Sequence, residues 1–287
     1  LQQLRQLGQD MFNQKFPEKR AFITGAASGL GLEVAEQLAK DNWRLAIADI
    51  NTQRLDAAHA ELIALGAKEV ISITLNVTDV EAVFAAAEQL ESAWQGIDLL
   101  FNNAGIAGAG KMEEIDGNDW ERVIDIDLWS VIYGCRAFIP MMKKQKHGHI
   151  INTASSAGTL SAAEMANYNV AKAGVVSLSE TLKVELSPEN IGVTVLCPTV
   201  FKTNLGESVT GKTAFERNLQ QQLKESKITS ADIVKKTFAA IKSNKLYVMP
   251  QSDATWGWRL KRLMPETYAK LMSYMYKKRI WIYKHLE

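Results

Sequence analysis

The sequence predicts an α/β fold: a doubly wound parallel sheet covered by helices on both faces. Three observations predict it. Short apolar runs alternate with longer amphipathic segments from residue 20 to about residue 250. The runs are continuously apolar rather than alternating, as strands buried on both faces must be. A glycine cluster, TGAASGLG at 24–31, joins the first run to the first helical segment, where such a sheet makes its first strand-to-helix turn. With 287 residues, 47% of them hydrophobic, the chain can bury one large core, and its length does not require two.

The elements follow in order. RAFIT (20–24) is the first strand and LGLEVAEQLAK (30–40) the first helix. RLAIAD (44–49) precedes a helical stretch through Leu65, and VISITL (70–75) precedes DVEAVFAAAEQLESAW (79–94). IDLLFN (97–102) leads through a glycine-rich loop to a long helix over about 118–145. GHIINTA (148–154) leads to a helix near 161–187 that carries YNVAK. IGVTVLC (191–197) precedes a polar insertion at 204–227, expected to be a mobile lid. A helix near 230–243 and a last strand, KLYVM (245–249), complete a main domain over 20–250. A leader at 1–19 has Leu1, Leu4, Leu7, Met11 and Phe12 at amphipathic-helix spacing, and a helical extension occupies 251–287.

Composition excludes several classes. A net charge of +1 gives no overall basic field for nucleic acid. No apolar run reaches the roughly 18 residues of a membrane span, and the N-terminus has no signal-peptide core, so a cytoplasmic protein is expected. Cys135 and Cys197 lie in apolar surroundings far apart in sequence, which predicts buried free thiols rather than a disulfide. The four histidines form no metal set, and no metal is expected. His147 and His149 flank a glycine and are expected in a loop.

Two motifs carry chemistry. Gly25, Gly29 and Gly31 space as G-x-x-x-G-x-G, with Ser28 and Leu30 among them, directly before a helix. Glycines let a backbone turn tightly and approach a pyrophosphate, and a helix N-terminus supplies free N–H groups. Asp49 ends the second strand, where a carboxylate accepts hydrogen bonds from ribose hydroxyls and repels a 2′-phosphate. Ile50 and Asn51 follow it without a cation, which favours NAD over NADP. The bland alternatives are a tight turn and a loop charge. The second motif is YNVAK, which puts Tyr168 and Lys172 four residues apart on one helix face. A free phenol, with pKa near 10, is a poor base at neutral pH. A positive charge about 5 Å away favours phenolate by about 3 kcal/mol, about two pKa units, at an effective dielectric near 20. An isolated pair would read as a half-buried tyrosine beside a surface lysine.

With TGAASGLG, NNAG (102–105) and YNVAK in that order, residues 20–250 resemble the short-chain dehydrogenase/reductase family. The resemblance implies a single Rossmann-type domain with a seven-stranded parallel sheet. It implies hydride transfer between a nicotinamide cofactor and a small-molecule alcohol or ketone. It implies Tyr168 as general acid or base, Lys172 on the nicotinamide ribose, and Ser155 on the substrate oxygen, with Ser156 competing for that place. It further implies Asn103, Ala104 and Gly105 beside the adenine ribose, Asn76 facing the adenine amino group, and Val77 packed on the ring. CPTVFKT then grips the carboxamide through Pro198, Val200 and Thr203. Thr199 and Phe201 replace the family's usual glycine and valine. Asp127 stands where the family has a catalytic asparagine that holds a water.

Leu160, Ala162, Phe201 and Leu205 are the expected substrate walls and suggest an apolar secondary alcohol or ketone. The helices near 118–145 and 161–187 carry apolar residues on more than one side, such as Ile132, Phe138, Val175 and Leu178, which predicts a homo-oligomer, most simply a dimer. Residues 255–287 carry eight Lys or Arg against two Glu, with seven aromatics, and place apolar side chains at 268, 271, 272, 275 and 282 toward one side. Three readings compete: the extension docks on its own or a partner subunit, lies on an anionic membrane, or is solvated. Two other functions stand beside the dehydrogenase: a dinucleotide-binding sensor impaired by Asp127, and a membrane-surface reductase of lipophilic carbonyls.

Overall fold

The computed structural model describes residues 15–208, 214–280 and 283. The amphipathic pattern expected at Leu1–Phe12 lies outside the described residues. Seven strands form one sheet: β1 (Arg20–Thr24), β2 (Arg44–Asp49), β3 (Glu69–Thr74), β4 (Leu99–Asn102), β5 (Gly148–Thr153), β6 (Ile191–Leu196) and β7 (Tyr247–Val248). Their order is β3-β2-β1-β4-β5-β6-β7, and every pairing is parallel. The chain winds outward from β1 to β3, then returns to the other side of β1 as β4. That reversal opens a crevice at the carboxyl ends of the strands.

The helices are α1 (Gly29–Ala39), α2 (Thr52–Ala64), α3 (Val80–Trp94), α4 (Gly117–Ile124), α5 (Ser130–Gln145), α6 (Ala157–Leu160), α7 (Ala166–Glu185), α8 (Ala214–Glu225), α9 (Ser230–Lys242), α10 (Ser252–Leu263) and α11 (Pro265–Lys277). α1, α2 and α9 cover one face of the sheet through Val34, Leu38, Leu55, Leu62, Ile233 and Ile241. α3, α5 and α7 cover the other through Val83, Leu90, Phe138, Val175 and Leu182. Each such side chain contributes about 1.5–3 kcal/mol by leaving water. Asn51, Asp79, Asp116 and Thr229 cap α2, α3, α4 and α9, each accepting a backbone N–H three residues on.

Several expectations are corrected. The single helix over 118–145 is interrupted by a π-helical turn, Asp125–Trp129, between α4 and α5. The wider turn places Asp127 in the interior, and π-turns of this kind are frequent at functional sites. The helix near 161–187 begins only at Ala166, because Ser161 and Glu164 adopt left-handed φ of 56° and 60°. The polar insertion, expected to be a lid, is helical where it is described: a 3₁₀ turn (Asn204–Ser208) and α8, whose Phe215, Leu219 and Leu223 recur every four residues, with 209–213 outside the described residues. His149 is buried in β5, within 2.8 Å of Thr194 Oγ1, rather than in a loop. Phe138 and Val175 are fully buried against their own sheet, so they supply no dimer surface. The outward apolar residues of this region are Trp129, Val170 and Val184. Cys135 and Cys197 are buried free thiols, and burial pushes both up to about 12.

The extension folds back on its own chain. The Tyr268 hydroxyl donates to the Leu160 carbonyl at 2.7 Å, and the Tyr276 hydroxyl donates to Glu164 at 2.7 Å. The Ala163 N–H donates to the Tyr283 hydroxyl at 3.0 Å. Tyr268, Met272 and Met275 point inward, whereas Leu271, expected with them, is exposed. Residue 282 lies outside the described residues. Among the described residues no helix is long and apolar enough to cross a membrane.

Candidate active site

One cleft of about 1650 Å³ runs along the carboxyl ends of the strands. Its first arm is built largely by backbone. Gly25 and Gly29 have φ of 62° and 56°, a region that side chains other than glycine enter only under strain. A Cβ on Gly31 would lie 2.2 Å from the Gly25 carbonyl oxygen and 2.7 Å from Asn103 Nδ2. Ser28 is the N-cap of α1, but its side chain caps nothing, so among the described residues no side chain claims the first-turn N–H groups. Ser28, Gly29 and Leu30 line the cleft there. Asp49 is fixed by the N–H groups of Ala27 at 3.1 Å and Asn51 at 3.0 Å, beside an exposed Ile50. Asn103 braces the loop by donating to the carbonyls of Thr24 and Gly25 at 3.0 and 3.3 Å. Ala104, Gly105 and Val77 complete the wall. Asn76 also lines it, with its Oδ1 accepting from the Thr78 N–H and hydroxyl at 3.1 and 2.9 Å. Unclaimed helix N–H groups, a cradle too tight for a Cβ and a terminal carboxylate fit the pyrophosphate and ribose of a dinucleotide.

The sequence reading missed Arg54. It lines the same end of the cleft and pairs with Glu207 at 3.0 Å. Its place one turn into α2, behind the Asn51 cap, was the available signal.

At the middle of the cleft α7 presents Tyr168 and Lys172 together, with the Lys172 ammonium 5.6 Å from the Tyr168 ring centre. Ser155, after β5, lines the cleft with Tyr168; its Oγ donates to the Pro198 carbonyl at 3.5 Å and accepts the Ala157 N–H at 3.1 Å. Ser156 also lines the cleft. Lys172 donates to the Thr153 carbonyl at 3.1 Å. Its ammonium stands 3.3 Å from Asp127 Oδ2, an ion-pair distance whose angles do not make a good hydrogen bond. Asp127 Oδ1 accepts the Ile106 N–H at 2.8 Å. A Cβ on Gly105 would come within 3.1 Å of that same oxygen.

This geometry changes the expected electrostatics. Burial holds Tyr168 well above the usual phenol range, the Asp127 carboxylate adds to the rise, and the Ser155 hydroxyl opposes it. The ammonium that was expected to act on the phenol also faces Asp127, at 3.3 Å. Burial likewise raises Asp127, while Lys172 and the Ile106 N–H pull it back.

The other arm is apolar and built by side chains. Leu160, Ala162, Phe201 and Leu205 line the cleft, as do Met165, Phe215, Leu219 and Met272; Phe201 also packs in the core with Leu30 and Ile233. Met165, Phe215, Leu219 and Met272 form one cluster with Tyr283. Pro198, Val200 and Thr203 border both arms, and Thr203 Oγ1 would be 2.9 Å from a Cβ on Gly29. The Thr199 N–H donates to Gln251 at 3.1 Å, which ties this segment to the start of the extension.

Comparison with known proteins places the chain in a family. The family model described as short chain dehydrogenase matches residues 19–230. A CLA biosynthesis dehydrogenase/reductase from Lactiplantibacillus plantarum is 33% identical over 88% of this chain and 95% of its own. A cyclohexanol dehydrogenase from an Acinetobacter species is 34% identical over 68% of this chain and 78% of its own. The crystal structure of a short chain dehydrogenase/reductase from Burkholderia phymatum in complex with NAD superimposes with a TM-score of 0.83. That pair is 33% identical, over 88% of this chain and 96% of the other. The chain belongs to the short-chain dehydrogenase/reductase family of oxidoreductases.

Proposed function

We propose that the protein is an NAD-dependent dehydrogenase or reductase that interconverts an apolar secondary alcohol and its ketone. The observation that carries this reading is the meeting of Ser155, Tyr168 and Lys172 where the glycine-lined arm joins the apolar arm. Asp49 beside Ile50 supports NAD over NADP, as does the NAD-bound relative from Burkholderia phymatum. The cyclohexanol dehydrogenase supports an alcohol as substrate.

The bound nicotinamide supplies the hydride donor or acceptor. Tyr168 gives its proton to the substrate oxygen during reduction and takes it back during oxidation. Its raised pKa keeps the hydroxyl protonated at neutral pH, the form that reduction requires. Ser155 holds the same substrate oxygen. Lys172 is a positioning group, itself held by Thr153 and Asp127. The reading as an impaired sensor has no support in the geometry: Asp127 is buried behind the cleft wall and leaves Ser155 and Tyr168 unobstructed.

The test is a panel of secondary alcohols and ketones, cyclohexanol among them, with NAD and with NADP, followed at the nicotinamide absorbance. Turnover with NAD is expected. Tyr168→Phe should lower kcat by about 100-fold to 10,000-fold while NADH still binds. A wild type inert toward the whole panel, or a variant that keeps most of its turnover, rejects the reading.

A further inference from the structure

Among the described residues, six of the twelve large apolar side chains left exposed are Trp256, Leu263, Met264, Leu271, Tyr274 and Ile280. All six lie in the extension, about a tenth of the chain, so the exposed apolar surface is concentrated there. α11 has two distinct faces. Tyr268, Met272 and Tyr276 turn inward onto the loop at 160–164 and the substrate arm. Lys270, Leu271, Tyr274, Lys277 and Lys278, at helical spacing, turn outward. On α10 the outward stripe is Trp256, Arg259 and Leu263, with the Arg259 guanidinium 5.4 Å from the Trp256 ring centre. Leu263 and Met264 join the two stripes at the bend.

The exposed cations Arg259, Lys270, Lys277 and Lys278 lie on this outer side, while Arg262 and Arg279 pair with Glu180 and Glu164 at 3.7 and 3.8 Å. Residues 252–280 contain seven Lys or Arg against Asp253 and Glu266, a net +5. The whole chain is +1, so the remainder is −4. An exposed surface that mixes Trp, Tyr and Leu with cations matches the interface of an anionic bilayer, where rings sit at headgroup depth and lysine stems reach back to phosphate. A second copy is a poorer partner, because a two-fold contact would set this positive face against itself.

We propose that the outer face of α10 and α11 docks on an anionic lipid bilayer. The inner face of α11 borders the substrate arm, so lipophilic alcohols or ketones reach the cleft from the bilayer. The substrate clause rests on the dehydrogenase reading; the docking does not.

The full chain is floated with vesicles of phosphatidylcholine mixed with phosphatidylglycerol, and with vesicles of phosphatidylcholine alone. Binding to the mixed vesicles is expected, weakened by added salt and lost with Leu271→Glu/Tyr274→Glu. Lys277→Gln/Lys278→Gln should weaken binding without adding acid. Both variants should turn over a short, water-soluble alcohol at the wild-type rate, which shows that they fold. If the enzyme proves inert toward alcohols, circular dichroism reports folding and the flotation result stands by itself. Wild type that stays with neither vesicle, or floats equally with both, overturns the proposal. So does a drop in lipid-free molecular mass on light scattering in the Leu271→Glu/Tyr274→Glu variant, which would make the face a contact between copies.

Discussion

The two arms of the cleft meet at Tyr168 but are built by different means. The nucleotide arm is made of backbone: left-handed glycines, a helix start without a side-chain cap, and a carboxylate held by two amides. Its parts lie within short stretches at 25–31, 49–51 and 103–105. The apolar arm, proposed to take the substrate, is made of side chains from α8, α11 and the loop at 160–165. A backbone requirement is written in a few adjacent residues and tolerates almost no substitution. A side-chain wall is assembled by packing, and its members can change one at a time.

The nucleotide arm should therefore break hardest. In Gly31→Ala the new methyl would sit 2.2 Å from the Gly25 carbonyl oxygen, a backbone atom that cannot swing aside as a side-chain end can. The loop must shift away from the pyrophosphate position. NADH affinity, followed by nicotinamide fluorescence, should fall about 100-fold or more, since about 1.4 kcal/mol is lost per factor of ten. An unchanged dissociation constant would mean that the cradle plays no part in binding.

Cofactor choice is the next largest effect. Asp49→Ala with Ile50→Arg removes a repelling carboxylate and adds a phosphate partner. Charged hydrogen bonds are worth about 1.5–3 kcal/mol, so the ratio of kcat/KM for NADP to that for NAD should rise at least about tenfold. Arg54, which lines the same end of the cleft, pairs with Glu207 at 3.0 Å. A wild type that already prefers NADP would contradict the reading of Asp49.

The same contrast explains what could be read from the sequence. Continuous apolar strands, the glycine spacing and YNVAK are local signals, and a seven-stranded parallel sheet followed from them by resemblance. The π-turn at Asp125–Trp129 was hidden because its residues fit an uninterrupted helix equally well. The break at Ser161–Met165 was hidden because left-handed φ at a serine and a glutamate has no strong sequence mark. Met272 and Phe215 could not be placed on the substrate arm, because only tertiary packing brings residues so far apart together. The four-residue spacing of Phe215, Leu219 and Leu223 was legible and would have turned the expected lid into a helix.

A substitution in the side-chain wall should have a smaller and more selective effect. Met272→Ala removes apolar contact from the far end of the arm. Pocket contacts of this size discriminate by about 1–3 kcal/mol, and the lower end applies to a flexible methionine. For ketones bulky enough to reach α11, kcat/KM should fall about three- to tenfold. Short alcohols and the NADH dissociation constant should not change. A uniform loss across all substrates would instead mark Met272 as a support of the fold.

The smallest effect tests the point where the arms meet. Asp127 and Lys172 face each other at 3.3 Å in the interior, and the Ile106 N–H donates to the carboxylate. Burial favours the neutral acid, whereas the ammonium and the amide favour the anion. The anion raises the Tyr168 pKa. Oxidation needs the phenolate, so an ionised Asp127 moves the rise of kcat/KM for oxidation to higher pH. Asp127→Asn removes that charge and leaves Lys172 unopposed beside the phenol. Both changes favour phenolate, so the kinetic pKa should fall by about half a unit or more. Gly105 leaves little space around the carboxylate, and the nearly isosteric amide preserves the packing. The measurement is a pair of pH–rate profiles for one alcohol under saturating NAD. A shift toward lower pH in the variant marks Asp127 as an anion acting on Tyr168 through the lysine. Superimposable profiles mean a neutral Asp127, and then the substitution of aspartate for the family's asparagine has no electrostatic consequence at the phenol.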